Sequence, residues 1–273
     1  MHNGPVGIFD SGIGGLTVAR AIHGLLPQES TIYLGDTARV PYGPKSPETV
    51  RRYSREILGW LVGQGVKAVV VACNTATAHA LEELQRISPV PVIGVITPGA
   101  RAAARESTAG RVGVIGTAGT VASGAYRRAL LAERPSLRVV EQACPLLVPF
   151  VEEGWLTHPA TKLVVEEYLA PLRVERVDTL VLGCTHYPLL KPLLAEVMGP
   201  GVRLIDSAEE TARELAATLE RTGLSARPEQ APPRQRWVAT DDVERFARVG
   251  AVFMGEAPVA VELVGLEAEH ALS

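Results

Sequence analysis

Val66-Lys-Ala-Val-Val-Val-Ala-Cys73-Asn74-Thr75 and Val177-Asp-Thr-Leu-Val-Leu-Gly-Cys184-Thr185-His186 are near copies of one another. Each reads as a continuous apolar run with a thiol at its carboxyl end, the pattern of a buried strand in a parallel sheet. In open α/β sheets ligands bind just beyond the carboxyl ends of the strands, so the pattern brings two thiols to one cleft. The cysteines lie 111 residues apart (184 − 73), and other pairs echo that spacing. Gly4-Pro-Val-Gly-Ile-Phe9 resembles Gly110-Arg-Val-Gly-Val-Ile115, and Pro91-Val-Ile-Gly-Val-Ile96 is matched more loosely by Val202-Arg-Leu-Ile-Asp206. A period this long is a domain-sized duplication, since solenoid repeats recur every roughly 20–50 residues. Two similar α/β domains would face each other across a pseudo-twofold cleft with one thiol on each wall.

The elements alternate accordingly. Strands are expected over 6–10, 31–35, 68–73 and 92–96, with helices over 16–26, 47–64 and 76–87 between them. The second half repeats the rhythm, with strands over 112–116, 139–143, 179–183 and 203–205 and helices over 122–132, 158–172 and 189–198. Such βαβ alternation predicts doubly wound parallel sheets with helices on both faces. A helix over 211–221 leads to a Pro- and Arg-rich connector over 226–236 and a tail with Phe246, Val249 and Phe253 at helical spacing. Neither half-repeat needs that tail, so it is read as returning to the first unit. The expected division is a discontinuous first α/β domain, residues 1–97 plus 207–273, carrying Asp10 and Cys73. The second, 98–206, carries Glu152, Cys184 and His186.

Composition narrows the function. With 273 residues, 47% of them apolar, the chain can bury sizeable cores, and its net charge of −3 gives no nucleic-acid footprint. No apolar run approaches the roughly 20 residues of a membrane span, and the first residues lack a signal peptide's basic start and apolar stretch. A cytoplasmic protein is expected. Three cysteines, an odd number, favour reduced thiols over a disulfide framework.

Asp10-Ser11-Gly12-Ile13-Gly14-Gly15-Leu16-Thr17 follows the first strand and approaches a dinucleotide fingerprint, but the third glycine would fall at Thr17. A tight strand-to-helix turn, with backbone donors that could seat a carboxylate, is the alternative. Asp10 there could be a helix cap. Cys144 reads as a small buried hydrophobe. Cys73 and Cys184, each at a strand end before a helix, would be more readily ionised by the helix dipole, with Asp10 and His186 as polar neighbours for proton exchange. Cys73, His79, Cys184 and His186 have zinc-ligand atom types, yet no Cys-x-x-Cys or His-Glu-x-x-His pair anchors a site. None of the four lysines, Lys45, Lys67, Lys162 and Lys191, has an obvious pyridoxal-phosphate setting. No metal and no cofactor is expected, which leaves the chemistry to the thiols.

Several motifs together resemble the cofactor-independent glutamate racemases of bacteria. They run Gly7-Ile-Phe-Asp-Ser-Gly-Ile-Gly-Gly-Leu-Thr17, Gly35-Asp-Thr-Ala-Arg-Val-Pro-Tyr-Gly43, Ala72-Cys-Asn-Thr-Ala76, Pro91-Val-Ile-Gly94, Cys144-Pro145, Val151-Glu152 and Leu182-Gly-Cys-Thr-His-Tyr-Pro188, with Val238-Ala-Thr-Asp-Asp242 and Phe246 in the tail. The resemblance implies two pseudo-symmetric α/β domains with the active site between them and L-/D-glutamate as substrate, supplying D-glutamate for peptidoglycan synthesis. It implies Cys73 and Cys184 as opposed acid and base, Asp10 assisting Cys73, and His186 with Glu152 behind it assisting Cys184. Substrate would be held by Asp10, Ser11, Tyr42, Gly43, Asn74, Thr75, Thr117, Thr120, Thr185 and His186. The family's activator-dependent members are similar to chains with a longer extension before the first strand, so dependence on a cell-wall precursor nucleotide is not expected. A homodimer is left open. The competing readings are an aspartate racemase, which tends to carry Glu at the place of His186, and a nucleotide- or amino-acid-binding module without thiol chemistry.

Overall fold

The computed structural model describes residues 4–226, 232–255 and 260–266. It holds two parallel sheets. The first is built from β1 (Val6–Asp10), β2 (Thr31–Gly35), β3 (Ala68–Val71) and β4 (Val92–Gly94), extended by β9 (Gln235–Ala239) and β10 (Val261–Leu263) in the order β10-β9-β2-β1-β3-β4. The second contains β5 (Arg111–Gly116), β6 (Arg138–Ala143), β7 (Thr179–Gly183) and β8 (Arg203–Ile205) in the order β6-β5-β7-β8. The four strands of the second sheet repeat the 2-1-3-4 order of the first, and the starts of β3 and β7 are again 111 residues apart (179 − 68). In each sheet the chain reverses direction across the central strand, which creates a topological switch point between β1 and β3 and between β5 and β7.

Alternation along the strands distributes their side chains to two faces. On the first sheet Ile8 and Val70 face α1 (Leu16–Leu25), α10 (Ala208–Arg221) and α11 (Val243–Met254), whereas Phe9, Val69 and Val71 face α2 (Pro47–Gly63) and α3 (Asn74–Ile87). On the second, Val112, Val114 and Val181 pack on α4 (Ile96–Glu106) and α6 (Ala125–Glu133). Ile115, Leu180 and Leu182 face α7 (Leu147–Glu152), α8 (Pro159–Val174) and α9 (Lys191–Met198). The β9–β2 pairing runs Gln235↔Thr31 through Ala239↔Gly35, so the tail joins the first sheet. No helix among the described residues is long and apolar enough to cross a membrane.

Three elements differ from the sequence expectation. The helix expected over 122–132 is two helices, α5 (Ala118–Ser123) and α6, broken at Gly124, whose φ of +63° favours glycine and ends one helix as it starts the next. The helices α4 and α7 were not expected. Each carries a proline, Pro98 and Pro149, at its third residue. A proline in the first turn costs little, because the amide it lacks would have had no helical partner.

Candidate active site

The carboxyl ends of β1, β3 and β7 converge. Ala72 N–H donates to Phe9 C=O at 2.8 Å, which brings the segment after β3 beside Asp10 at the end of β1. Cys73 is the N-cap of α3, its Sγ accepting from Ala76 N–H at 3.4 Å. The thiol also donates to Ser11 Oγ at 3.6 Å. Across the cleft Cys184 follows β7, 3.8 Å from His186 Nδ1. His186 Nε2 lies 3.0 Å from Glu152 Oε1 at the end of α7. Cys73, Cys184, Asp10 and His186 are all buried.

Between the thiols is a cavity of about 30 Å³ lined by Ser11, Tyr42, Gly43, Cys73, Asn74, Thr75, Thr117, Cys184, Thr185 and His186, with Val40, Pro41 and Val148 as apolar walls. Three of the expected residues lie outside this lining. Thr120 sits behind it, its hydroxyl 3.2 Å from that of Thr75 and 3.0 Å from that of Thr117. Glu152 reaches it through His186. Asp10 lies beneath it and joins the two walls: one oxygen accepts from Gly12 N–H at 3.0 Å and the other from Thr185 Oγ1 at 3.4 Å. Tyr42 lends its ring to the wall but donates its hydroxyl to Asp36, which Arg39 and Thr240 also hold. Asn74 accepts from Tyr126 O–H at 2.7 Å, while its buried Nδ2 has no partner among the described residues. A buried amide donor left without a partner on the wall of a cavity is a seat for an oxygen of a bound molecule.

The electrostatics of the two walls differ. Burial pushes the Cys73 thiol up to about 12, helped by the Asp10 charge and opposed by the Ala76 amide and Ser11. The helix N-terminus therefore does not ionise this thiol as the sequence suggests, because desolvation outweighs the dipole. Burial likewise raises Asp10 above the ordinary carboxylate value, against the charge of His186 and the Gly12 and Gly15 amides. Around His186 burial favours the neutral ring, yet its bonds to Cys184 and Glu152 and their charges win and raise it to about 10. Glu152 is lowered: burial opposes its charge, but His186 and then Arg245 outweigh that penalty. A charged imidazolium–carboxylate pair thus backs Cys184. By contrast Cys184 is followed by a 3-10 turn, Tyr187–Leu190, in place of a regular helix.

The glycine turn holds no nucleotide cradle. A Cβ at Gly14 would lie 2.3 Å from Thr185 Oγ1 and 2.5 Å from His186 Nδ1, so the space above the turn is filled by the second sheet's loop. Residues 16–215 match the model of the Asp/Glu/Hydantoin racemase family.

The chain belongs to that family. A glutamate racemase of Geobacter metallireducens is 54% identical over 264 residues, covering 97% of this chain and 97% of the relative. The solved glutamate racemase of Bacillus anthracis superposes with a TM-score of 0.93 at 42% identity, covering 97% of this chain and 99% of that one. That of Francisella tularensis, in complex with D-glutamate, gives 0.92 at 36% identity, covering 98% and 100%. This chain is accordingly an isomerase, a racemase with the two-sheet architecture of those enzymes.

Two residues of the racemase placed at the site had no signal of their own in the sequence. Tyr126 reaches Asn74 from α6, and Arg245 reaches Glu152 from α11 at 3.2 Å. Arg245 stands between Asp242 and Phe246, inside a tail motif quoted for its neighbours. Cys144 is fully buried with its thiol 3.6 Å from Gln142 C=O and does not line the cavity. His79 lies in a separate cleft beside Arg51 and Arg128, away from the two thiols.

Proposed function

We propose that this racemase interconverts L- and D-glutamate by a cofactor-independent, two-cysteine proton transfer, and that it supplies D-glutamate for peptidoglycan synthesis in the cytoplasm. The observation that carries the reading is the pair of buried strand-end thiols, Cys73 and Cys184, on opposite walls of one cavity, Cys73 bonded to Ser11 Oγ and Cys184 beside His186 Nδ1. Similar glutamate racemases, one of them described in complex with D-glutamate, support the choice of substrate. The pairing of β9 and β10 in the first sheet supports the division into 1–97 plus 207–273 and 98–206.

In one direction the Cys184 sulfur takes the α-proton: a C–H bond breaks, an S–H bond forms, and the electron pair stays on the α-carbon. The His186 imidazolium, held by Glu152, compensates negative charge on that sulfur. The Cys73 thiol then gives its proton to the opposite face, so an S–H bond breaks and the new C–H bond has inverted configuration. Asp10, with its raised affinity for a proton, assists Cys73 when the roles reverse. An α-proton beside a carboxylate is very weakly acidic, so positioned donors must stabilise the carbanion, usually the largest catalytic contribution. Asn74 Nδ2, Ser11 and the hydroxyls of Thr75, Thr117 and Thr185 are the donors for this, with Tyr42 and Gly43 shaping the wall and Thr120 supporting the hydroxyl cluster.

The test is isotopic. In deuterium oxide, starting from L-glutamate, D-glutamate formed at low conversion carries deuterium at the α-carbon while unreacted L-glutamate keeps protium, because the delivering thiol has exchanged with solvent. Mass spectrometry of the separated enantiomers reads this, and substantial protium in early D-glutamate would rule out independent acid and base thiols.

A further inference from the structure

The chain of charges behind Cys184 does not end at Glu152. Its second oxygen, Oε2, accepts from Arg245 Nη2 at 3.2 Å, while Oε1 faces His186. The two partners ride on different sheets: Glu152 closes α7 on the second, and Arg245 lies in the first turn of α11, which packs on α1. Asp242 fixes where that turn begins, in a left-handed conformation (φ +42°) with its side chain accepting from Arg245 N–H at 2.9 Å.

We infer that Arg245 is a positioning residue for the proton relay, a cation from the tail that holds the Glu152 carboxylate against His186 and so sets His186 beside Cys184. This rests on the two-thiol reading above. Behind Cys184 the charges alternate, from imidazolium through carboxylate to guanidinium. An ion pair this open to solvent is worth little to stability, with Arg245 42% exposed. Its value lies in the carboxylate it holds, which is much less exposed and touches the buried imidazole. The other charged groups facing Glu152 are its neighbour Glu153, 3.8 Å from the same guanidinium, Asp241 and Asp242 across a cleft of about 200 Å³, and Asp10 acting through space beneath His186. All four are acidic, so Arg245 is the one cation on the solvent side of this carboxylate among the described residues lining the cleft.

The expected consequences follow from the sign of that charge. Removing it raises the pH at which Glu152 takes up a proton, and a protonated Glu152 no longer holds the imidazolium. In Arg245→Met we expect kcat for glutamate to fall about tenfold or more, as when a charge-assisted hydrogen bond to a positioned group is lost. KM stays near the wild-type value, because Arg245 does not line the cavity between the thiols. The acid limb of the kcat profile moves to higher pH, and Arg245→Lys recovers part of both effects. An unchanged kcat, or a fall with the acid limb unmoved, overturns the proposal. Should Arg245→Met lose its fold, Arg245→Gln gives the same comparison with a neutral donor. A wild-type protein that does not racemise glutamate would refute the parent reading, which separates that failure from a failure of Arg245.

Discussion

His186 sits in an environment far from that of a free side chain. Its ordinary value is 6.5 and in the folded protein it is raised to about 10, against a burial penalty that by itself works the other way. Below pH 6.5 folded and unfolded chains both carry the proton, so the stabilisation from the ionic contacts is complete. Between 6.5 and about 10 the unfolded chain has lost its proton while the folded one keeps it, and stability falls as pH rises. The contribution is gone above about 10. One group can account for at most about 1.4 kcal/mol per pH unit. The Cys73 thiol, pushed up to about 12 by burial and the Asp10 charge, adds to the same downward slope above its ordinary value of 9.0. Urea unfolding at pH 7, 8 and 9 should therefore show stability declining in the wild type and declining less steeply in His186→Asn. Equal slopes in the two proteins would mean that the imidazole is not held as a cation.

Where the β1–α1 turn meets the loop after β7, two elements approach more closely than side chains allow. Gly14 leaves room for Thr185 Oγ1 and His186 Nδ1 at places a methyl group would occupy. In Gly14→Ala the loop must retreat, and overpacking of this kind costs about 1–3 kcal/mol. A shift of the ring that backs Cys184 is the larger consequence, because misplacement by about 1 Å can cost a hundredfold in rate. The expected result is a modest loss in urea midpoint with a disproportionate loss of kcat, and a variant with wild-type kcat would show that the contact does not position His186. The same two elements also mark how far the sequence could be read. The strands were legible because buried parallel strands are unbroken apolar runs, and the thiols because those runs were duplicated. The helices α4 and α7 were hidden by Pro98 and Pro149, which punctuate a sequence yet sit comfortably in a first helical turn. Arg245 and Tyr126 were hidden for another reason: each acts through a residue more than 50 positions away, and no local periodicity encodes such a pairing.

Across the whole molecule the two sheets are joined in two ways, which bears on how substrate enters. On one side a continuous apolar cluster runs from Ile8 and Ile13 in the first unit to Leu182 and Tyr187 in the second. On the other, the walls of the cavity are held by polar contacts: Gly119 N–H to Gly43 C=O at 3.0 Å, Thr75 to Thr117 at 2.9 Å, Tyr126 to Asn74 at 2.7 Å and Thr185 to Asp10 at 3.4 Å. An apolar joint costs free energy to open, whereas polar groups can exchange partners with water or with a ligand at small net cost. The cavity of about 30 Å³ takes two or three waters, given the roughly 10–15 Å³ that one requires, and not an amino acid. The polar contacts are therefore the ones expected to give way as substrate enters. Glutamate would then enter by displacing contacts such as Thr75–Thr117 and would draw the walls together again through its own oxygens and ammonium. Hydrogen exchange of the free protein should be fast in peptides covering 37–43 and 117–121, where the Gly119 amide meets Gly43, and should slow on saturation with D-glutamate. The strands β1 and β7, buried in either state, should exchange slowly throughout. Equal exchange in the two loops with and without D-glutamate would place the entry route elsewhere.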